Sequence, residues 1–230
     1  PVERFESPFR TGQAPVGLGL AGYRLSPDGS MVVYRGPGPE GTGEQLWVRR
    51  WDDPEATPVR GTEGGSEPSV SPDGREIAFI QDGEMHALAL EGGPTRALGP
   101  GVVPRWQPDG YVYFHAPDGN AMRVAAAGGA AELVSETEEG EARRFVMQLL
   151  PGERGAILGV QRLDLEYQIR ALDLETGEST LLATGVPAAY SDTGHLLYLT
   201  EGALMAAPFD PATMQTEGAA VPLVDGVLSF

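Results

Sequence analysis

The chain of 230 residues contains no cysteine, no lysine and no long apolar run. Without cysteine it has neither disulfide bonds nor thiolate metal sites. No apolar stretch approaches the roughly 18 residues that a membrane-spanning helix needs, so we expect no membrane insertion by this chain. Its 16 basic residues are all arginines, and with 33 acidic residues the formal net charge is −17. Nucleic acid is therefore not an expected partner, because binding to its phosphates requires a basic surface.

Glycine and proline are abundant, with 32 and 20 residues, and they recur at turn positions between short apolar runs. Residues 66–99 show the pattern most clearly, because turn sequences at 71–74, 82–83 and 92–93 divide this stretch into four predicted strands. In the first turn, Ser-Pro-Asp-Gly, the proline presets φ, the aspartate can bind nearby backbone and the glycine accepts a positive φ. The run at 76–80 is apolar at consecutive positions, which predicts a strand buried on both faces.

This pattern occurs five times in the chain. The turn after the first strand of each copy falls at residues 29, 74, 110, 153 and 194, at spacings of 45, 36, 43 and 41. A period of about 40 residues with four strands per repeat is typical of a β-propeller, in which each blade buries its faces only against its neighbours. We therefore predict one all-β domain over residues 1–230, a propeller of four-stranded antiparallel blades. The predicted repeats are 23–60, 66–99, 102–135, 143–184 and 186–225.

Both ends of the chain also have the composition of strands. Residues 2–9 precede the first repeat, and residues 226–230 follow a fifth repeat that already has an outer strand. An unpaired strand edge favours pairing with another chain. We therefore predict that the terminal strands belong to an incomplete sixth blade, closed within the chain or completed by a second copy through strand addition.

Sequence motifs for catalysis are missing from the chain. No Gly-x-Ser-x-Gly pentapeptide occurs, and the glycine pairs lie in strand turns rather than before helices. His86, His115 and His195 lack the spacing of metal ligands. The acidic run at 136–141 is interpreted as a solvated loop rather than a cation site. We expect no catalytic residue, no metal, no cofactor and no enzymatic activity.

The first strand of each repeat supplies the candidate site, because the innermost strands of a propeller line its central channel. Five positions before each turn register stand Arg24, Ser69, Arg105, Gln148 and Ala189, followed by Leu25, Val70, Trp106, Leu149 and Tyr190. The predicted ligand-binding residues are Arg24, Arg105, Gln148, Trp106 and Tyr190. In one interpretation the two arginines hold a small anion or a peptide carboxylate. In the other they pair with carboxylates of the strand ends, such as Glu67.

A family resemblance rests on the turns and on several longer motifs. Ser-Pro-Asp-Gly at 26–29 and 71–74, and Gln-Pro-Asp-Gly at 107–110, each followed by an apolar strand, resemble the TolB-type propeller repeat, a relative of Trp-Asp repeats. The longer motifs are Leu-Trp-Val-Arg-Arg at 46–50, Glu-Ala-Thr-Pro at 55–58, Gly-Thr-Glu-Gly at 61–64, Leu-Asp-Leu-Glu-Thr-Gly at 172–177 and Leu-Met-Ala-Ala-Pro-Phe-Asp at 204–210. Their succession is similar to the extracytoplasmic propeller at the C-terminus of bacterial eukaryotic-like serine/threonine protein kinases.

This resemblance implies a bacterial, extracytoplasmic sensor or scaffold module, in the periplasm or at the cell surface, without kinase activity of its own. Its expected partner is a protein, a small peptide or an anionic ligand, with self-association through the terminal strands as a further expectation. Three alternatives stay open: a periplasmic TolB-like interaction protein, the propeller half of a peptidase, and a secreted self-assembling structural protein.

Overall fold

The computed structural model describes residues 9–16, 22–39, 43–53 and 55–227. The predicted terminal strands at 2–9 and 226–230, and with them the sixth blade, lie outside this range apart from residues 9, 226 and 227. Every regular element of three or more residues in the described part is a β-strand. The same part holds no helix with the length and apolar character to cross a bilayer.

The strands form five antiparallel sheets, the blades of a β-propeller, which confirms the predicted fold class. Blade 1 contains β1 (Tyr23–Leu25), β2 (Met31–Pro37), β3 (Glu44–Arg50) and β4 (Thr57–Pro58). Blade 2 contains β5 (Ser66–Val70), β6 (Glu76–Gln81), β7 (Glu84–Ala89) and β8 (Arg96–Pro100). Blade 3 contains β9 (Val102–Trp106), β10 (Tyr111–His115), β11 (Ala121–Ala125) and β12 (Glu132–Ser135). In each of these sheets the strands lie side by side in chain order.

Blade 4 contains β13 (Glu141–Leu149), β14 (Gly155–Arg162), β15 (Tyr167–Asp173) and β16 (Ser179–Thr184). Blade 5 contains β17 (Val186–Ser191), β18 (His195–Thr200), β19 (Ala203–Asp210), β20 (Gln215–Thr216) and β21 (Val221–Asp225). Its outer edge is divided, because β20 pairs with the end of β19 while β21 pairs with the beginning. The chain divides into two compact units, with the boundary in the sequence between Trp106 and Gln107.

In the first unit, the apolar faces of blades 1 and 2 pack together. Met31 and Val33 of β2 contact a cluster that includes Ile77 and Phe79 of β6, all of them fully buried. On the opposite face of β2, Tyr34 packs against a further small cluster. Burying an aliphatic or aromatic side chain of this size contributes about 1.5–3 kcal/mol. The run at 76–80 is buried on both faces from residue 77 onward, as predicted.

In the second unit, the same alternation of faces produces two clusters. Tyr113 of β10 packs with Leu158 of β14, which joins blade 3 to blade 4. Ile169 of β15 packs with Leu196 of β18 and Phe209 of β19, which joins blade 4 to blade 5. Each strand of blade 4 that supplies these residues therefore offers an apolar face to a neighbouring sheet, as the repeat pattern requires.

The Pro-Asp-Gly turns close as their residue types predict. In the turn at 71–74, the Gly74 amide donates to the Ser71 carbonyl at 2.9 Å, and Gly74 has a φ of 71°. The Asp73 carboxylate accepts from the Ser71 hydroxyl at 2.6 Å and from the Arg75 amide at 3.1 Å. The fourth repeat lacks the glycine at this register, and Glu153 adopts a φ of 56° in its place. A side chain is strained in that region of backbone space.

Candidate ligand site

The first unit brings together Arg24, Glu67 and Arg105, which lie on the inner strands β1, β5 and β9. Strand β5 packs beside both of the others. All three charged side chains belong to residues that are half-buried, so they are neither sealed in the core nor fully solvated. Each guanidinium also donates to the carbonyl of the residue before it, Arg24 to Tyr23 and Arg105 to Pro104, both at 3.0 Å.

The electrostatics of this group are dominated by burial. Desolvation lowers the pKa of Arg24, while the negative charge of Glu67 raises it. For Arg105, burial and then the like charge of Arg24 lower the pKa to about 9, and Glu67 again raises it. A pKa of about 9 leaves Arg105 charged at neutral pH. In the Arg24–Glu67–Arg105 cluster the carboxylate therefore lies close enough to influence both guanidinium groups.

The backbone fixes the position of Glu67. Its carboxylate accepts a hydrogen bond from the Val103 amide at 2.7 Å. Glu67 and Val103 both adopt left-handed backbone conformations, with φ of 51° and 55°, and the pairing of β5 with β6 shifts register beside Glu67. Such conformations are uncommon for side-chain-bearing residues and unusual for β-branched valine. The hydrogen bond thus joins two irregular points of neighbouring inner strands and holds the carboxylate beside the arginines.

Trp106 lies next to Arg105 on β9 and is half-buried. Its backbone amide donates to the Ser69 hydroxyl of β5 at 2.8 Å. Ser69, which precedes its own turn register by five positions, therefore connects the inner strands of blades 2 and 3.

Gln148 and Tyr190, the two predicted site residues of the second unit, contact each other. The Gln148 side-chain amide donates to the Tyr190 carbonyl at 3.2 Å and accepts from the Tyr190 amide at 3.0 Å. The Tyr190 ring is buried in the cluster between blades 4 and 5, where it stacks edge-on with Phe209 at 5.8 Å between ring centroids. These contacts assign both residues a part in joining strands β13 and β17.

A third connection of this kind was missed in the sequence. The Gln107 side chain accepts from the Leu149 amide at 3.0 Å and donates to the Met147 carbonyl at 3.3 Å. Trp106, Leu149 and Tyr190 all stand four positions before their turn register, so one backbone amide in each of blades 3, 4 and 5 is satisfied in the same way. An inner strand is a sheet edge, and its unpaired amides need such partners. In the sequence, the only sign of these connections is that the three residues share the same position within the repeat.

The interpretation of the acidic run at 136–141 as a solvated loop is wrong for its last residue, Glu141. Glu141 begins β13, and its carboxylate is bound in two places by Arg144, with Nε to Oε2 at 2.6 Å and Nη2 to Oε1 at 3.0 Å. Arg144 also donates to the Ser135 hydroxyl at 2.8 Å. The side chains of Glu141 and Arg144 are only 2 % and 3 % exposed, so the end of the run is part of the interior.

The three histidines lie on separate strands, β7, β10 and β18. His86 packs near the Phe79 ring at 5.9 Å, and His195 forms a hydrogen bond through Nδ1 with the Thr193 carbonyl at 2.9 Å. Within the described ranges, no three His, Asp or Glu side chains group in a way that could hold a metal ion.

Comparisons with known proteins add structural relatives. No family model matches the chain, and no curated protein matches it. Among solved structures, TolB from Acinetobacter baumannii superposes with a TM-score of 0.65 at 16 % identity, over 88 % of this chain and 54 % of that protein. A putative TolB from Agrobacterium tumefaciens gives a TM-score of 0.60 at 18 % identity, over 74 % of this chain and 69 % of that one.

An oligogalacturonate lyase in complex with manganese is also similar, with a TM-score of 0.59 at 14 % identity, over 85 % of this chain and 63 % of the lyase. The chain thus spans little more than half the length of the Acinetobacter TolB. At these identities the likeness concerns the fold, since one fold hosts many unrelated functions. The five antiparallel blades and these superpositions together show that the chain has a TolB-like β-propeller fold.

Proposed function

We propose that the chain is a non-catalytic binding module that recognises a small anion or the carboxylate of a peptide through Arg24 and Arg105. The observation that carries the proposal is a half-buried pair of arginines, on two inner strands that both pack beside β5, within a chain of net charge −17. Arginine suits this task because its planar guanidinium can bind a carboxylate through two parallel hydrogen bonds. Partial burial strengthens such contacts, because water screens them less.

Glu67 supports the alternative in which the arginines are paired internally, because its charge raises the pKa of both. One of its oxygens also accepts from the Val103 amide. An arriving anion that accepts from a guanidinium group would gain a charge-assisted contact, worth about 1.5–3 kcal/mol.

The test is a titration with N-acetyl-glycyl-glycine, a peptide with a free carboxylate, and with the same peptide amidated at its C-terminus. We expect the free acid to bind more tightly than the amide, and Arg105→Ala to weaken binding of the acid by about 10- to 150-fold. Arg75→Ala, at an exposed turn of the same unit, is the control for the loss of one positive charge. Equal affinities of the wild type and the Arg105→Ala protein would discard the proposal.

We further propose that this module lies outside the cytoplasm and is the sensor of a bacterial receptor-type serine/threonine kinase. Its support is the resemblance of motifs such as those at 46–50, 172–177 and 204–210, together with the TolB-like fold. The parent reading frame tests it. An upstream kinase domain followed by one membrane-spanning helix would support the sensor, whereas a downstream hydrolase with Gly-x-Ser-x-Gly would make this chain the propeller of a peptidase.

A further inference from the structure

The turn that joins β14 to β15 exposes two leucines. The side chain of Leu163 is 70 % exposed and that of Leu165 is 73 % exposed, the two highest values for a large apolar residue in the described ranges. A single exposed apolar residue is ordinary, whereas several that lie together mark an interaction site. Here two lie on one turn, separated only by Asp164.

The backbone of Leu165 adopts a left-handed conformation, with a φ of 71°. The corresponding turns of blades 2, 3 and 5, also between the second and third strands, have a glycine with positive φ at residues 83, 119 and 202. Glycine adopts this conformation without the steric penalty that a leucine incurs. Leu165 therefore strains its turn while its side chain buries little surface within the chain, and that side chain is available to a partner.

Backbone hydrogen bonds tie this turn to its own hairpin and to a neighbouring loop. The Leu165 amide donates to the Arg162 carbonyl at 3.1 Å, and the Arg162 amide donates to the Glu166 carbonyl at 2.8 Å. The Leu163 amide donates to the Gly140 carbonyl at 3.0 Å, which joins the turn to the acidic loop, residues 136–140, that follows β12. The two leucines are thus presented by a loop on a rigid scaffold, the usual place for binding residues.

Carboxylates flank the two leucines. Residues 136–144 and 162–166 together contain six acidic residues and three arginines. Glu138 and Glu141 pair with Arg144. The other four acidic side chains are exposed: Glu136, Glu139, Asp164 and Glu166. An apolar surface bordered by carboxylates is complementary to an apolar segment that carries lysine or arginine, whereas anionic lipid headgroups are repelled by it.

From these observations we infer that the β14–β15 turn, with the acidic loop beside it, is a docking surface for a protein segment in which apolar side chains alternate with basic ones. Leu163 and Leu165 supply the apolar contact. The carboxylates attract the basic segment and disfavour acidic ones. This surface lies in the second unit, so it is independent of the anion site proposed at Arg24 and Arg105 in the first.

The probe is the peptide acetyl-Lys-Lys-Leu-Lys-Phe-Lys-Lys-amide, titrated at low ionic strength into protein with carbon-13-labelled leucine methyl groups. We expect saturable NMR shifts of the Leu163 and Leu165 methyl signals. Added salt should weaken binding, because it screens the attraction between exposed charges. The same peptide with serine in place of leucine and phenylalanine should bind at least about fivefold more weakly, because its apolar contact is gone.

Leu165→Gly is the deciding variant, because it separates binding from stability. It relieves the left-handed strain, so its thermal midpoint should equal or exceed that of the wild type, while its affinity for the peptide should fall about fivefold or more. Leu163→Ser should weaken binding to a similar extent. Its matched control is Leu181→Ser, which removes an exposed leucine of β16 in the same unit and should leave the affinity unchanged.

The charges are tested by a matched pair of double variants. Glu136→Gln with Glu139→Gln should weaken peptide binding about threefold or more, since each removed charge lies beside the proposed surface. Glu175→Gln with Glu178→Gln makes the same change in net charge in the β15–β16 turn, at the other end of blade 4, and should have a clearly smaller effect.

Three results would each refute this docking surface. One is a peptide titration that leaves the Leu163 and Leu165 methyl signals unshifted, or equal affinity of Leu163→Ser, Leu165→Gly and the wild type. The second is equal affinity for the serine peptide, because the carboxylates alone would then account for binding. The third is binding of the two leucines to vesicles that contain phosphatidylserine, without binding to the peptide, because the occupant would then be a lipid surface.

Discussion

Replacing Glu141 by glutamine should destabilise the protein strongly, because it leaves the Arg144 guanidinium buried without its closest counter-charge. The pair is bound in two places, and the two side chains are only 2 % and 3 % exposed. Removing one partner of a buried ion pair typically costs about 3–5 kcal/mol. Glu138, which is 63 % exposed and lies 2.5 Å from Arg144, compensates part of the loss. We therefore expect about 3 kcal/mol, at the lower end of this range.

The assay is urea denaturation followed by far-UV circular dichroism. Tryptophan fluorescence is unsuitable, because Trp47, Trp51 and Trp106 all precede Gln107 and report on the first unit alone. By thermal unfolding, a loss of this size corresponds to a midpoint about 6–12 °C lower for a chain of this length.

Glu132→Gln is the matched control, because Glu132 pairs with Arg123 at 2.9 Å while the two side chains are 51 % and 34 % exposed. An exposed pair contributes about 0–1 kcal/mol. If Glu141→Gln and Glu132→Gln lose the same free energy of unfolding, the burial argument is refuted.

The dependence on pH gives a second check of the same pair. Burial alone would raise the pKa of Glu141, but hydrogen bonds from Arg144 and from the Glu138 amide hold it below its ordinary value of 4.5. A depressed carboxyl pKa stabilises the fold above the unfolded value, and this contribution is lost as the pH falls through the folded pKa. The difference in stability between wild type and Glu141→Gln should therefore be full above about pH 4.5 and shrink below it.

Three further outcomes follow from other sites. Glu153→Gly should stabilise the protein by about 0.5–1 kcal/mol, because it relieves the strained φ of 56°. Its control is Glu175→Gly, at a turn residue without positive φ, which should destabilise the protein by a similar amount. Thermal unfolding of both variants and the wild type checks this. Gln148→Ala should cost about 2–3 kcal/mol in urea denaturation, because two backbone groups lose their partner, and a loss below 0.5 kcal/mol would contradict its role. Hydrogen bonds, first from the Ser26 hydroxyl, lower the pKa of Asp28 to about 2, so carboxyl NMR titration should find this value and Ser26→Ala should raise it.

The turns and strands were predictable because their causes are local. The turn at 71–74 closes through bonds among residues at most a few positions apart, so proline, aspartate and glycine in that order define it. The run at 76–80 likewise indicates a strand buried on both faces, because it is apolar at consecutive positions. The sequence also has Glu153 at the register where the other repeats carry glycine, and this residue adopts a φ of 56°.

The candidate site was predictable only in part, because its geometry depends on neighbours distant in sequence. The sequence pattern indicated Arg24 and Arg105, and Glu67 was considered as their partner. Val103 adopts a left-handed conformation and binds Glu67, 36 residues away. Neither feature could be predicted from the residues next to Val103 in the sequence. The burial of Glu141 was missed for the same reason, since an acidic run appears solvated until Arg144 and Ser135 are placed beside it.

The links between inner strands bear on how such repeats can diverge. In each case a side chain of one blade, Ser69, Gln107 or Gln148, binds the backbone of the next rather than its side chain. A peptide group is the same whatever residue carries it, so the receiving position tolerates tryptophan, leucine and tyrosine alike. Only the residue whose side chain accepts this bond must keep a short hydroxyl or an amide. Neighbouring blades can therefore drift apart in sequence while the junction between them persists, and this freedom is compatible with the low identities at which the fold superposes on its relatives.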